Sequence, residues 1–346
     1  MDYSIEFLKY EDSDEIQKFI NNEWKKDHIL SSSRELFEWQ YANGNENLNF
    51  VGIKISNTIK GILGFIPTSR YDQNLREKNV IWLALWKISN DLKISGIGLK
   101  MLTFLKNEVK HVGIGVSGLG SSLPILYKSL GYFTSELSHY YVVNKNKYKN
   151  LKLIKSDLGF IHPTLKTNGK LWKSLNKENY KELTKNNYNF NCNSSNRKSS
   201  DYFFNRYIKH PFYKYKVYLI FSDDNSESAI ISTRIDTKEN SNVLRIIDYY
   251  GNQEILNNAG FGLQNIMTKE NIEYADFWTY GISNQIMENI GFSTINSKYN
   301  VIVPSYFEPF IDANNKIYFA YKNSNNALDN IFIYKGDGDQ DRPNQI

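Results

Sequence analysis

Lys93, Gly96 and Gly98 form a Lys-x-x-Gly-x-Gly pattern directly after a strongly apolar run, residues 80–86. Such a run predicts a buried strand, and the residues after the glycines predict a helix. Glycines let a backbone approach a ligand closely, and N–H groups at the start of a helix can bind phosphate oxygens. The same spacing also suits a turn that needs glycine only for its backbone angles. The pattern therefore predicts either a phosphate site or a plain strand-to-helix turn.

The glycine pattern occurs twice in the chain. Gly96 and Gly260 each begin a Gly-x-Gly-Leu sequence, and they lie 164 positions apart. A repeat of this length is too long for a solenoid and has the size of a whole domain. We therefore expect two tandem copies of one fold, in residues 1–146 and 147–346. Three further pairs match in the same order at similar offsets: Tyr41 with Tyr207, Arg70 with Arg234, and Gly131 with Gly291.

The order of predicted elements in each copy indicates a mixed α/β (α+β) fold. The first copy begins with a predicted strand at residues 3–10 and continues with two helices and a strand pair that turns at Asn57. Its last predicted strand is Ser-His-Tyr-Tyr-Val-Val, residues 138–143. We expect each copy to form a central, mainly antiparallel sheet flanked by helices.

The composition narrows the possible functions. The 346 residues carry a formal net charge of +5, but Lys and Arg form no long stripe, so nucleic acid is not an expected partner. No apolar run approaches about 18 residues and no signal-peptide pattern is present, so we expect a cytoplasmic protein without membrane contact. The single cysteine, Cys192, excludes an intrachain disulfide. The five histidines lack ligand spacing, so we expect no metal.

Two elements in this order resemble the GCN5-related N-acetyltransferase (GNAT) superfamily. One is the Lys93 pattern, in which the family prefers Arg or Gln at the position of Lys93, and the other is Leu-Tyr-Lys-Ser-Leu-Gly-Tyr at residues 126–132. Residues 25–41 and 334–344 are similar to segments of bacterial N-acyltransferases that act on nucleotide-linked amino sugars, such as that of the D-anthrose pathway. The resemblance implies acyl transfer from a coenzyme A (CoA) thioester directly to the amine of an amino sugar, without a covalent enzyme intermediate.

The resemblance also implies where CoA binds. The backbone N–H groups of residues 94–98 would hold the pyrophosphate, and Lys93 would add positive charge. The backbone of residues 86–88 would hold the thioester carbonyl and the oxyanion that forms from it. The CoA-binding residues that follow from the resemblance are Trp86, Lys87, Ile88, Lys93, Ile94, Ser95, Gly96, Ile97 and Gly98.

Three residues are candidates for catalysis. Tyr127 resembles the general acid of the family, which protonates or hydrogen-bonds the leaving sulfur, and its alternative role is that of a core tyrosine. Asp91 is a candidate general base just after the central strand, or a residue of the turn there. His28 lies between the first two predicted helices, where a neutral imidazole could orient or deprotonate the amine, or it is structural.

Five residues are candidates for binding the acceptor. Asp248 and Tyr250 mark the end of the central strand in the second copy, where an ordinary strand end is the alternative. In the C-terminal tail, Asp339 and Asp341 could hold an ammonium group or sugar hydroxyls, and Arg342 could hold a phosphate. A solvated, frayed terminus is the alternative for the tail.

The second copy keeps the glycines but loses the charge and the hydroxyl. Asn257 stands at the position of Lys93, and Met287 at the position of Tyr127. We therefore expect the first copy to bind CoA and carry out the reaction, and the second to form a wall of the acceptor site. Two alternatives remain: an aminoacyl, peptidyl or protein N-acyltransferase of the same superfamily, and a non-catalytic module that binds acyl-CoA or a nucleotide sugar. The sequence does not distinguish a monomer from a dimer.

Overall fold

The computed structural model describes residues 2–44, 46–180, 183, 188–191, 197–324 and 330–344. Contacts divide the chain into two units. The sequence predicted one boundary, after residue 146, whereas here two late segments of the chain belong to the first unit. Unit 1 comprises Met1–Thr134, Phe319–Ala327 and Gly338–Ile346. Unit 2 comprises Ser135–Tyr318 and Leu328–Asp337.

Unit 1 contains one mixed sheet. Its seven-strand path runs β1-β3-β4-β5-β6-β17-β7, and β2 pairs with β3. The β5–β6 pair is parallel, and β1, β3, β4 and β5 pair with each other in antiparallel fashion. The strands are β1 (Ser4–Lys9), β2 (Ala42–Asn43), β3 (Asn47–Ile55), β4 (Thr58–Pro67), β5 (Val80–Ile88), β6 (Gly113–Leu119), β7 (Phe133–Glu136) and β17 (Tyr318–Asn323).

Unit 2 contains a second mixed sheet, with the path β14-β8-β13-β12-β11-β10-β9. Here β12 and β13 are the parallel pair, and β18 pairs with β13. The strands are β8 (Ser138–Val143), β9 (Lys173–Leu175), β10 (Lys216–Phe221), β11 (Ser228–Lys238), β12 (Ser241–Tyr250), β13 (Ile272–Tyr280), β14 (Ser293–Thr294) and β18 (Ile333–Tyr334), with a separate hairpin of β15 (Tyr306–Phe307) and β16 (Phe310–Ile311).

Helices accompany both sheets. In unit 1, a π turn at Ile20–Trp24 extends the first helix. The α-helices of the described residues are α1 (Ser13–Phe19), α2 (Ile29–Ser32), α3 (Arg34–Tyr41), α4 (Ile97–Glu108) and α5 (Leu123–Ser129) in unit 1, and α6 (Ser200–Phe203), α7 (Gly260–Lys269) and α8 (Asn284–Ile290) in unit 2. Shorter 3₁₀ turns occur at Tyr10–Asp12, Thr68–Arg70, Gln73–Lys78, Lys145–Lys147, Gln253–Asn258 and Ser297–Tyr299.

The two sheets follow the same path, but the sequence repeat does not map onto them without a break. The predicted strand at residues 138–143 forms as β8, yet it pairs with β13 and β14 and belongs to the second sheet. The prediction that it is the last strand of the first copy is therefore wrong. The matching position beside β6 is filled by β17, which comes from the end of the chain. Each sheet thus takes one strand from the other half of the sequence, an exchange that no local pattern encodes.

Large apolar and aromatic side chains fill the space between sheet and helices. In unit 1, Phe37 on α3 stacks on Phe50 of β3 with ring centres 5.7 Å apart, and Tyr41 packs on the same ring at 4.4 Å. Trp82 of β5 is almost fully buried. Because Trp82 anchors β5 and the buried Met101 and Leu105 anchor α4, the turn that joins them is held in a fixed position relative to the sheet.

Candidate functional site

The central parallel strands of unit 1 stop pairing before they end. Within the described residues, β5 and β6 pair as far as Leu83 and Val116. However, β5 continues to Ile88 and β6 continues to Leu119. The backbone groups of residues 84–88 on this side of β5 therefore lie beyond the ladder with β6. This opening lies at the carboxyl ends of both strands.

The Gly96 turn follows directly after this opening. Gly96 adopts a φ of 71°, in the left-handed region that favours glycine, and it is the last residue before α4. In the described part of the chain, no atom lies within 4 Å of the position that a Cβ on Gly96 would take. A Cβ on Gly98 would lie 3.2 Å from Ile88 and 3.5 Å from the ring of Trp86. The structure thus brings the end of β5 beside the first turn of α4 and leaves the turn uncovered.

The other predicted CoA-binding residues surround this turn. Lys93 and Ser95 are exposed, Ile94 and Lys87 are half-buried, and Ile97 is buried. The first N–H groups of a helix have no partner within the helix, and its amino end carries a partial positive charge. Together with the charge of Lys93, the turn has the chemistry that an anionic oxygen requires.

Tyr127 lies on α5, which begins after β6. Pro124 occupies the first turn of this helix, and Gly131 follows its end with a φ of 78°. Tyr127 is only 4% exposed, and its ring meets Tyr132 edge-on with ring centres 5.3 Å apart. Burial, together with the neighbouring Tyr132, raises the pKa of Tyr127 well above its ordinary value. The phenol therefore keeps its proton near neutral pH and can act as a hydrogen-bond donor.

The C-terminal tail, residues 338–344, packs against unit 1. A Cβ on Gly338 would lie 3.5 Å from Trp82 on β5. Gln340 lies so close to Gly118 on β6 that a Cβ there would overlap its Oε1 atom. Asp341 is buried as well, with 7% exposure. Residues 338–341 of the tail therefore contact both strands that border the opening and are packed against them.

Arg342 connects the tail to His28. The Arg342 Nη1 atom donates to Asp339 Oδ2 at 3.0 Å, and Nη2 lies 2.8 Å from His28 Nε2. Burial, followed by the charges of Arg342 and Lys25, lowers the pKa of His28 to about 4. The other ring nitrogen, Nδ1, accepts from the Leu30 N–H at 3.2 Å. Because the pKa is low and both ring nitrogens already have neighbours, the ring is not suited to taking a proton from the acceptor.

Asp91 is exposed in the turn after β5. Its carboxylate lies 2.8 Å from Lys60 Nζ in an ion pair at the surface. A hydrogen bond from this lysine lowers the pKa of Asp91, which weakens it as a base. The structure therefore favours the alternative role of Asp91 as a residue of the turn.

The matching opening of unit 2 is filled by the chain itself. The parallel pair β12–β13 ends at Ile246 and Phe277. The short strand β18 then pairs with the end of β13. Directly after β18, the Gly336 N–H donates to the Ile247 carbonyl of β12 at 2.8 Å. Backbone hydrogen bonds to both strands thus occupy the place that is open in unit 1.

The second glycine turn is covered as well. A Cβ on Gly260 would lie 1.8 Å from the carbonyl oxygen of Lys166, and one on Gly262 would lie 2.0 Å from the ring of Trp172. The N–H of Phe261 donates to the Asn168 carbonyl at 2.8 Å. Residues 166–172 therefore cover the first turn of α7, where a ligand would have to bind.

Asp248 and Tyr250 lie in unit 2, at the end of β12. Asp248 is fully buried, with one oxygen 2.5 Å from Lys198 Nζ and the other accepting from the Tyr207 hydroxyl at 2.7 Å. Asp337 also lies 2.8 Å from Lys198 Nζ. Tyr250 lines a cavity of about 190 Å³ beside this lysine. Asp248 is thus the partner of a buried lysine, and neither predicted role, a cleft ligand or an ordinary strand end, describes it.

The residues that cover the second glycine turn and the strand residues that contact the tail were not among the predicted site residues. Trp172 and residues 166–168 are far from Gly260 in sequence and follow no helical or strand period. Trp82 and Gly118 lie in predicted strands, and nothing in the sequence indicates that they contact the tail. Gln340 could have been included in the prediction, because it lies between two predicted acceptor residues of the tail, Asp339 and Asp341.

In the ranges that the structure describes, no three His, Cys, Asp or Glu side chains gather in a way that could hold a metal ion. Cys192 lies outside these ranges. Across the same ranges, none of the helices combines the length and apolarity needed to cross a membrane.

Neither a known family nor a curated protein matches the sequence. The fold is similar to that of a probable N-acyltransferase from Enterococcus faecalis V583, with a TM-score of 0.54, 11% identity, and 93% of this chain and 73% of that chain covered. It is also similar to a GCN5-related N-acetyltransferase from Anabaena variabilis, with a TM-score of 0.53, 10% identity, and coverage of 93% and 72%. The chain thus has the mixed α/β fold of these proteins, and the predicted fold class is confirmed.

Proposed function

We propose that the protein is an acyl-CoA-dependent N-acyltransferase whose reaction takes place in unit 1. The observation that carries the proposal is the opening between β5 and β6 beside the uncovered Gly96 turn, while both matching features of unit 2 are filled by the chain. In acyl transfer, the CoA thioester supplies the electrophilic carbonyl. The protein must bind this anionic carrier so that the carbonyl lies next to backbone N–H donors. The fold shared with N-acyltransferase structures agrees with this chemistry.

The two ends of the carrier have separate places in this arrangement. The N–H groups of residues 94–98, with Lys93, bind the pyrophosphate of CoA. The backbone of residues 86–88, beyond the ladder with β6, holds the thioester carbonyl and stabilises the oxyanion. Gly98 keeps the first turn of α4 close to Trp86, so both functions act on one extended molecule.

Tyr127 donates a hydrogen bond or a proton to the departing sulfur. Its raised pKa keeps the phenol protonated, as a donor requires. His28, neutral at pH 7, contacts Arg342 and positions it beside the acceptor. Asp91, exposed and paired with Lys60, keeps its role in the turn, and no general base is assigned.

The acceptor is an amino sugar linked to a nucleotide, whose phosphate adds a negative charge to the substrate. 

Asp339 and Asp341 belong to the tail that contacts both strands of the opening, and carboxylates can hold an ammonium group or sugar hydroxyls. Arg342 supplies a fixed cation beside them for the phosphate of a nucleotide. The amine attacks the thioester directly, so the reaction needs no nucleophile from the protein.

A thiol-release assay tests this function. The full-length protein is incubated with acetyl-CoA and a panel of nucleotide-linked amino sugars, and free thiol is measured together with the mass of each product. We expect release that depends on an amino sugar, with a mass increase of one acetyl group on the amine. Release with peptides only would replace the sugar by a peptide acceptor. CoA binding without release for any amine would favour a non-catalytic module.

A further inference from the structure

Unit 1 contains a cavity of about 640 Å³. It lies near the start of β5 and the end of α4. It is lined by residues before the start of β5 and at the end of α4, among them Asn79 and Glu108. The Gly96 turn joins the opposite ends of these two elements. Because α4 has 12 residues, it separates the two places by a helix of about 18 Å. The cavity is therefore distinct from the proposed CoA site.

Two buried donors in this cavity have no acceptor among the residues that the structure describes. Asn49 is 1% exposed, and its Nδ2 atom has no hydrogen-bond partner in the described part of the chain. Arg70 also lines the cavity, and its Nε atom is likewise buried and without a partner among the described residues. A buried donor without an acceptor costs about 1–3 kcal/mol, so such groups call for an explanation. Both atoms are N–H donors, so the missing partner is an acceptor.

The charge of Arg70 points to an anionic acceptor. Its Nη2 atom donates to the backbone carbonyl of Trp39 at 2.7 Å, but no carboxylate of the described residues pairs with the guanidinium. Arg76 adds a second cation to the lining, whereas Lys110 is engaged with Glu77. Glu108, also in the lining, is the opposing charge that a ligand would have to avoid.

Unit 2 offers an internal comparison for Arg70. Arg234 stands at the matching position of the repeat, and there the guanidinium is paired with Asp236 and lies over the ring of Tyr213 at 4.0 Å. The chain itself thus supplies a carboxylate to Arg234. At Arg70 the equivalent oxyanion is not part of the described chain.

We propose that this cavity binds a small molecule through an oxyanion group, a phosphate or a carboxylate, held by Arg70 and Asn49 with Arg76 at the rim. The amide-rich lining, which includes Asn43 and Asn47, provides further hydrogen bonds to the rest of the ligand. The site does not depend on the proposed acyl transfer, because it shares no residue with the Gly96 turn.

Pyrophosphate and succinate are the probes, because they separate the two sources of oxyanion. Binding of each is measured by calorimetry at low ionic strength on the wild type and on Asn49→Leu, Arg76→Gln and Lys18→Gln. We expect at least one probe to bind the wild type, at least tenfold weaker binding by Asn49→Leu, and weaker binding by Arg76→Gln. Lys18 is an exposed lysine of α1 outside the lining, so Lys18→Gln should match the wild type.

Thermal unfolding separates a ligand role from a structural one. Without a probe, Asn49→Leu should be as stable as the wild type or more stable, because it removes an unpaired amide. With the probe, its melting temperature should rise less than that of the wild type. If Asn49→Leu does not fold, the exposed Arg76→Gln decides alone.

Lys93→Ala distinguishes this site from the CoA site. It should weaken CoA binding and leave probe binding at the cavity intact. Probe binding that is lost in Lys93→Ala but kept in Asn49→Leu and Arg76→Gln would place the probe at the Gly96 turn and overturn the inference. Failure of both probes to bind the wild type at millimolar concentration would overturn it as well.

Discussion

The two glycine turns share a sequence pattern but not a surface. In unit 1, no atom of the described residues lies within 4 Å of the position of a Cβ on Gly96. A Cβ on Gly98 would approach the side chains of Ile88 and Trp86. In unit 2, the backbone at Lys166 and the ring of Trp172 lie where ligand atoms would have to be. Glycine therefore leaves one turn uncovered and allows close packing of the chain at the other. The pattern marks a place where the backbone can be approached, and the surrounding chain decides what approaches it.

The strand openings next to these turns differ in the same direction. β18 and Gly336 connect β12 and β13 through backbone hydrogen bonds. In unit 1, the tail contacts Trp82 and Gly118 at the border of the opening instead. The comparison supports the proposal that catalysis takes place in unit 1, and three tests can contradict or refine it.

The largest effect is expected from the hydroxyl that unit 2 lacks. Tyr127→Phe removes the proposed donor to the leaving sulfur and should lower kcat by roughly 10- to 10⁴-fold, the range for general acid–base groups. CoA affinity should change little, because the hydroxyl is not part of the phosphate site. Steady-state thiol release measures kcat, and calorimetry measures CoA binding.

A matched substitution controls for the loss of a buried phenol. Tyr218 of unit 2 is also buried, and burial raises its pKa to about 12. Tyr218→Phe should leave kcat unchanged. Equal rates for Tyr127→Phe and the wild type would remove Tyr127 from the mechanism and weaken the assignment of unit 1.

The paired glycines allow a direct test of open and filled turns. Gly98→Ala and Gly262→Ala are the same change in the first turn of matching helices, so the gain in helix propensity is similar. In Gly262→Ala, the new methyl group would overlap the ring of Trp172, and overpacking of this kind costs about 1–3 kcal/mol. In Gly98→Ala, it meets the terminal methyl of Ile88 at 3.2 Å, which can move.

We therefore expect opposite profiles for the two variants. Urea unfolding should show a clear loss of stability for Gly262→Ala and little change for Gly98→Ala. CoA affinity should fall for Gly98→Ala, because the methyl group hinders approach to the helix start, and stay constant for Gly262→Ala. A loss of CoA affinity in Gly262→Ala alone would place the cofactor in unit 2 and contradict the proposal.

The local elements of unit 1 could be predicted because each depends on neighbouring residues. The hairpin turn at Asn57, the strand before Lys87, and the helix that Gly131 terminates all form. These features follow from turn chemistry, β-branched runs and capping. The exchange of β8 and β17 could not be predicted, since both strands have the same apolar character and either sheet can accommodate them.

The site was predictable only in part, for the same reason. The contact of the Gly96 turn with the end of β5 follows from their adjacency in sequence. The low pKa of His28 depends on its burial and on Arg342, which is more than 300 positions away. The burial of Asp248 against Lys198 depends on tertiary packing that gives no periodic signal.

The smallest expected effect concerns how the tail is held at the opening of unit 1. β18 is held by backbone hydrogen bonds, which do not titrate, whereas the tail meets His28 through Arg342. The pKa of His28 is lowered to about 4 in the folded protein, against an ordinary value of 6.5. Between these values the unfolded chain binds more protons at this residue than the folded chain does. Its contribution to stability is therefore complete above about pH 6.5 and declines as the pH falls toward 4.

His28→Gln should reduce this pH dependence while keeping an acceptor for Arg342. The free energy of unfolding is measured in urea at pH 7 and pH 5 for both proteins. The wild type should lose more stability between these values than His28→Gln does. His139, His162 and the carboxylates titrate in both proteins, so their contributions cancel in the difference between the two losses. Equal losses would show that the pKa of His28 is not lowered in the folded protein, which would contradict its burial beside Arg342.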